Sequence, residues 1–134
     1  MMTKILMMLM LLVSTNALAV DWVKIGETGN GSFTHYVDPQ SIRRDGNKVR
    51  AWVMNDYKSD TILSDTKIIY LSVLVRAEYD CFEDTERFID IYYYSGKMGG
   101  GNIVLPIPNI TKPAESVIPG SNGATELKLV CATK

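Results

Sequence analysis

The sequence predicts a small exported α+β protein, with strands first and a helix-compatible segment last. Three observations predict it. Segments between Trp22 and Leu105 alternate apolar and polar residues with the two-residue period of strands. Ala124, Leu127, Val130 and Cys131 recur at the spacings of one helix face. The only two cysteines, Cys81 and Cys131, lie far apart on a chain that opens with an export-type leader.

The leader occupies residues 1–19. Lys4 supplies its positive end, and Ile5 to Val13 is an unbroken apolar run. That run is shorter than the ~20 residues a membrane span needs. Ser14, Thr15 and Asn16 end it, and Ala17-Leu18-Ala19 is a small-x-small cleavage signature. The pattern is that of a cleavable signal peptide, which places the mature protein in the periplasm, at the cell surface or in the medium. Residues 20–134 then form a single domain. No cysteine stands at the first mature position, so a lipid anchor is not expected. No later segment is long and apolar enough for a transmembrane span.

The strands follow in order. Trp22 to Ile25 begins extended, and Gly26 to Gly31 is turn-rich. Ser32 to Val37 alternates and is closed by Asp38-Pro39, because proline cannot donate to a ladder. Asp45-Gly46 lies between Ile42–Arg44 and Asn47–Tyr57 and signals a hairpin. In its second arm Val49, Ala51 and Val53 share one face, and Arg50, Trp52 and Met54 the other. Lys58 to Lys67 reads as a polar loop. Ile68 to Asp80 is the longest strand, with Ile69, Leu71, Val73, Val75, Ala77 and Tyr79 on its apolar face. Tyr70, Ser72, Leu74, Arg76 and Glu78 form the other face. Glu83 to Glu86 is a turn. Arg87 to Tyr94 returns with Phe88, Asp90, Tyr92 and Tyr94 opposing Ile89, Ile91 and Tyr93. Gly96 to Gly101 turns again, and Asn102 to Leu105 is a short last strand. Pro106, Pro108, Pro113 and Pro119 make the following stretch irregular. Ser121 is a candidate N-cap for a helix through Cys131. Leu127, Leu129 and Cys131 also alternate, so periodicity leaves a strand open there.

Export makes the cysteines readable. As the only pair in an oxidising compartment, Cys81 and Cys131 are expected to form one disulfide. A redox pair would use close Cys-x-x-Cys spacing instead. The chain carries net charge −1, one histidine and two cysteines. These exclude a bulk electrostatic grip on nucleic acid and a multi-histidine metal site, and argue against a zinc finger or iron–sulfur cluster.

Chemistry-bearing motifs are sparse. His35 sits among ordinary strand residues, without the nucleophile and orienting carboxylate that catalysis needs, and reads as structural or exposed. Glu78, Asp80, Glu83, Asp84 and Glu86 match no calcium loop. Gly96 to Gly101 lacks the spacing and the Ser/Thr of a phosphate loop. No enzymatic activity, cofactor or metal is expected. Tyr92 and Tyr94 share one strand face and present flat amphipathic rings of the kind favoured at protein interfaces. Arg43 and Arg44, which cluster with Lys48 and Arg50 near the hairpin, are a candidate contact for an acidic partner. These four are the candidate protein-binding residues.

Several blocks, taken in order, resemble the surface-adhesin protein E family of exported bacterial proteins. They are Trp22, Tyr36-Val37-Asp38-Pro39-Gln40-Ser41-Ile42, Lys48-Val49-Arg50-Ala51-Trp52 and Asp56-Tyr57. Ser72-Val73, Glu78-Tyr79-Asp80-Cys81 and Tyr94-Ser95-Gly96-Lys97-Met98 follow, then Ile118-Pro119-Gly120-Ser121 and Val130-Cys131. The resemblance implies an antiparallel sheet of about six strands. It implies a C-terminal helix across one face, tied to the sheet by Cys81 and Cys131. It also implies a binding module that adheres to host matrix proteins such as laminin or vitronectin. A non-catalytic structural or accessory role in the periplasmic envelope is the alternative.

Overall fold

The computed structural model describes residues 20–28 and 30–133, so the leader expected over 1–19 lies outside the described residues. The strands are β1 (Val23–Glu27), β2 (Phe33–Val37), β3 (Arg43–Asp45), β4 (Lys48–Ile62), β5 (Ile69–Asp80), β6 (Thr85–Tyr94), β7 (Ile103–Ile107) and β8 (Glu115–Ser116). One helix, α1 (Asn122–Ala132), ends the chain. The antiparallel sheet runs in the order β1-β2-β4-β5-β6-β7, with β3 paired to β4 and β8 to β6. The six-stranded path with two short additions matches the expected architecture, and the C-terminal segment is helix.

The helix forms because its start is capped and one stripe is apolar. Ser121 Oγ accepts from the Ala124 amide at 3.2 Å, a cap worth about 1 kcal/mol. Val130 is fully buried, and Leu127 and Leu129 pack beside it. This stripe meets Val37, Val49, Ala51, Val53, Val75, Ala77 and Tyr79 from one face of the sheet. Cys81 and Cys131 are joined, with Cα atoms 5.7 Å apart, and fix the helix end to the end of β5.

Local details depart from the expectations. The hairpin turn is Gly46-Asn47, with Asp45 paired to Lys48, one residue later than Asp45-Gly46. Gly46 takes φ +61°, the conformation glycine adopts without steric cost at the first turn position. Gly26 and Glu27 belong to β1, and residues 58–62 extend β4 where a loop was expected. The β4 extension carries a register shift between Asp56 and Thr61. Beyond that shift Ile69 is half exposed and Tyr70 turns inward against Tyr57 and Tyr93. The turn before β6 is at residues 81–84, not 83–86. A second shift pairs Phe88 with Ala77 and Asp90 with Arg76, which takes Phe88 off the face of Tyr92. The proline-rich stretch contains the two-residue β8, and Pro106 lies inside the outermost full strand, β7. No helix among the described residues is long and apolar enough to cross a membrane.

Candidate functional site

The sheet has two faces with different fates. The face carrying Val53, Val75 and Tyr79 is closed by α1. On the opposite face the cross-strand rows are Tyr36–Met54–Leu74–Tyr92, Trp52–Arg76–Asp90 and Arg50–Glu78–Arg87. The turn at Lys97–Gly99 covers one end of this face. There the Met98 amide donates to Asp56 Oδ1 at 2.7 Å and the Gly99 amide to Ser72 Oγ at 2.9 Å. Met54, between Tyr36 and Leu74 in its row, is fully buried. The middle and far end of the face stay open.

The open part has two adjoining recesses that share Trp52. The first is an apolar groove of about 400 Å³, walled by Val20, Trp22, Trp52, Leu74, Tyr92 and Tyr94. Trp52 and Tyr92 stack at 6.1 Å between ring centroids with planes 29° apart. The second is a basic recess of about 430 Å³, bounded by Ser41, Arg43, Arg50, Trp52 and Arg76. Ser41 Oγ accepts from the Trp52 amide at 2.8 Å, which holds the short turn at Pro39–Ser41 against β4.

Charges on this face are tightly knit. Glu78 accepts from Arg50 Nε at 2.9 Å and from Arg87 Nη2 at 3.3 Å, with Lys48 Nζ at 4.0 Å. Burial pushes its carboxyl up, but the hydrogen bonds from Arg50 and Arg87 outweigh burial and hold it below the usual range. Arg76 Nε lies 3.5 Å from Asp90 and makes no hydrogen bond.

The structure divides the four predicted contact residues. Tyr92 and Tyr94 face the apolar groove together, while Tyr93 packs into the core. Arg43 borders the basic recess beside Trp52. Arg44 points elsewhere: its Nη2 donates to the Cys131 carbonyl at 2.8 Å, at the C-terminal end of α1. A cation there complements both the orphan carbonyls and the helix dipole. Trp22, Trp52 and Arg76 were not singled out from the sequence. An available signal was a tryptophan following Lys48 and Arg50 on the non-core face of β4.

A buried polar cluster also went unrecognised. His35, on β2, is 5% exposed and Glu126, on α1, is 4% exposed. His35 Nε2 contacts Glu126 Oε1, Nδ1 contacts Asn55 Oδ1, and the Tyr79 hydroxyl donates to Glu126 Oε2. Burial pushes the Glu126 carboxyl up to about 7, and burial pushes the His35 imidazole down. Both directions favour neutral groups. A protonated Glu126 donating to Nε2 and an Nδ1–H donating to Asn55 Oδ1 satisfy both ring nitrogens of His35 and both carboxyl oxygens of Glu126. The cluster joins helix to sheet. The acidic run around Cys81 is split: Glu78 serves the open face, Asp80 Oδ1 accepts from the Phe82 and Glu83 amides at 3.0 Å, and Glu86 lies against Gly123. Among the described residues no group of three or more His, Cys, Asp or Glu is placed to hold a metal ion.

Comparison with known proteins follows this geometry. No curated protein matches the sequence. Solved structures of Haemophilus influenzae protein E share the fold. Its selenomethionine form superposes with a TM-score of 0.63 at 18% identity, over 82% of this chain and 86% of that one. Crystal form II gives 0.63 at 18% identity, over 81% and 87%. Protein E from non-typeable Haemophilus influenzae gives 0.59 at 15% identity, over 87% and 79%. The family described as Surface-adhesin protein E matches residues 22–132. The chain therefore belongs to the surface-adhesin protein E family.

Proposed function

We propose that this protein is an exported, non-catalytic binding module that contacts a protein partner through the open face of its sheet. The observation that carries this reading is the uncovered apolar groove centred on Trp52 and Tyr92, opposite a face already sealed by α1. Stacked aromatic rings set in a shallow groove supply large contact area at low entropic cost, which suits the centre of a protein interface. Membership of an adhesin family supports the same direction. His35 is taken up by Asn55 and Glu126 inside the molecule, which supports a structural role for the one histidine.

Adhesion to a host matrix protein and export through a cleaved leader are parts of this proposal. The test pairs surface proteolysis of fractionated cells with pull-down by immobilised laminin and vitronectin, comparing the native chain with Tyr92→Ala. Capture that weakens about tenfold or more in the variant, as expected for a central aromatic anchor, supports the reading. A protein confined to the periplasm that binds neither matrix protein favours the accessory envelope role instead.

A further inference from the structure

We propose that the open face recognises an acidic, extended segment of a partner protein. A carboxylate of that segment enters between Arg43, Arg50 and Arg76, and an apolar side chain two residues along occupies the groove between Trp22, Trp52 and Tyr92. The inference rests on the protein-binding reading above and specifies the partner's chemistry.

Charge is the first argument. Arg43, Lys48, Arg50, Arg76 and Arg87 crowd one end of the face, where Glu78 and Asp90 are their carboxylate partners. Arg43 Nη1 donates only to neutral backbone carbonyls, of Gln40 at 2.7 Å and Ile42 at 2.9 Å. It makes no ion pair among the described residues. The whole chain nevertheless carries −1, so this is a local concentration of cations that complements a single small anion better than a long polyanion.

Spacing is the second. Arg50 and Trp52 lie two residues apart on β4, about 6.6 Å at the usual rise of a strand. Arg76 stands directly across from Trp52, one strand over. An extended peptide has the same repeat, so its residues i and i+2 reach the two recesses from one side. The third argument selects peptide over acidic glycan. The groove walls are Val20, Leu74, Ile103 and aromatic rings, with Asp38 as the polar exception. Val20, Leu74 and Ile103 offer ring hydroxyls no hydrogen-bonding partner, which favours an apolar side chain over a sugar ring in that part of the groove. Asp38 also repels a second acid, which orients the segment with its carboxylate at the arginine end.

The test uses fluorescence anisotropy on the full exported chain. The probe is a labelled glycine-rich decapeptide bearing one glutamate and, two positions on, one phenylalanine. Its control carries glutamine in place of the glutamate. The glutamate probe is expected to bind about fivefold more tightly at low salt, as a well-placed solvent-exposed ion pair of about 1 kcal/mol implies. That preference should fall toward unity in Arg43→Gln, an exposed site whose loss leaves the core untouched, and shrink with added salt. Tyr92→Ala should weaken both probes alike. Trp52→Ala serves as a second variant where circular dichroism shows it folded. Equal binding of the two probes overturns the acidic inference. If both then weaken in Tyr92→Ala, the protein-binding reading still stands. A heparin oligosaccharide that outcompetes the glutamate probe overturns the choice of peptide over glycan. No binding of the glutamate probe overturns the inference whatever the matrix pull-down shows, and failure of that pull-down as well removes the broader reading.

Discussion

Replacing Glu126 with alanine should unravel the joint between helix and sheet. In the native molecule Glu126 satisfies two buried groups, the Tyr79 hydroxyl and His35 Nε2. Alanine leaves both without partners, and an orphaned buried polar group costs about 1–3 kcal/mol. The expected loss is therefore about 4 kcal/mol. At about 4 °C per kcal/mol for a domain of this size, the melting temperature should fall by about 15 °C. Glu126→Gln separates charge from shape. A carboxamide can donate to His35 and accept from Tyr79, so it should cost only about 1 kcal/mol at pH 5. The pH dependence makes the test sharper. The folded carboxyl titrates at about 7, above its usual value of 4.5. A raised pKa means that the folded state holds its proton more tightly, so this stabilisation is complete below pH 4.5 and is lost as pH rises through 7. Those two values imply a decline of about 3 kcal/mol, at roughly 1.4 kcal/mol per pKa unit. His35 acts with opposite sign. Its depressed pKa contributes stability above its usual 6.5 that disappears as pH falls through the folded value. Glu86, raised by burial and by the Glu126 and Glu115 charges, adds a decline of the same sign as Glu126. Circular dichroism melts from pH 4 to 8 should show the native chain losing stability from pH 5 to 8, with Glu126→Gln distinctly flatter. Identical slopes for the two, or an alanine variant that loses less than about 5 °C, would refute the buried neutral cluster.

Other perturbations probe the same frame. Reducing the Cys81–Cys131 bridge, which spans 50 positions, should cost about 4 kcal/mol by loop entropy, read as a lower urea midpoint under reducing conditions. Val130→Ala should cost about 2 kcal/mol in the same titration, because Val130 is fully buried under the sheet. Gly101→Ala should cost about 2 kcal/mol or more. Its φ is +71° and a Cβ would stand 2.3 Å from Ser95 Oγ, in the turn that carries Lys97–Gly99. Gly46→Ala, with φ +61° and open space around it, should cost nearer 1 kcal/mol.

Much of the sheet was legible because its faces obey simple alternation. Val49, Ala51 and Val53 point inward and Arg50 and Trp52 outward, as their spacing requires. Tyr92 and Tyr94 share a face for the same reason. Alternation failed where the ladder slips. Phe88 changed sides because an extra residue in β6 shifts its pairing, and Tyr70 turned inward where the β4–β5 register slips; nothing in a single strand's pattern records its partner's register. Arg43 and Arg44 are neighbours in sequence, but in a strand they face opposite ways. One therefore borders the basic recess and the other reaches Cys131.

By itself, the sequence determined the central strands, a candidate cap at Ser121 and the disulfide partners. Each follows from local periodicity, local chemistry or the presence of only two cysteines. Periodicity left helix and strand both open for residues 121–131, and the structure makes the segment helix. The tertiary structure decided what depends on distant segments. Folding brought His35 and Glu126 into one buried pair across 91 positions, and it placed Trp22 beside Trp52 and Tyr92. It also settled which sheet face α1 covers and which stays open. That choice belongs to neither strand nor helix alone. It comes from the helix's apolar stripe meeting the larger apolar face, with the cysteine bridge holding it there.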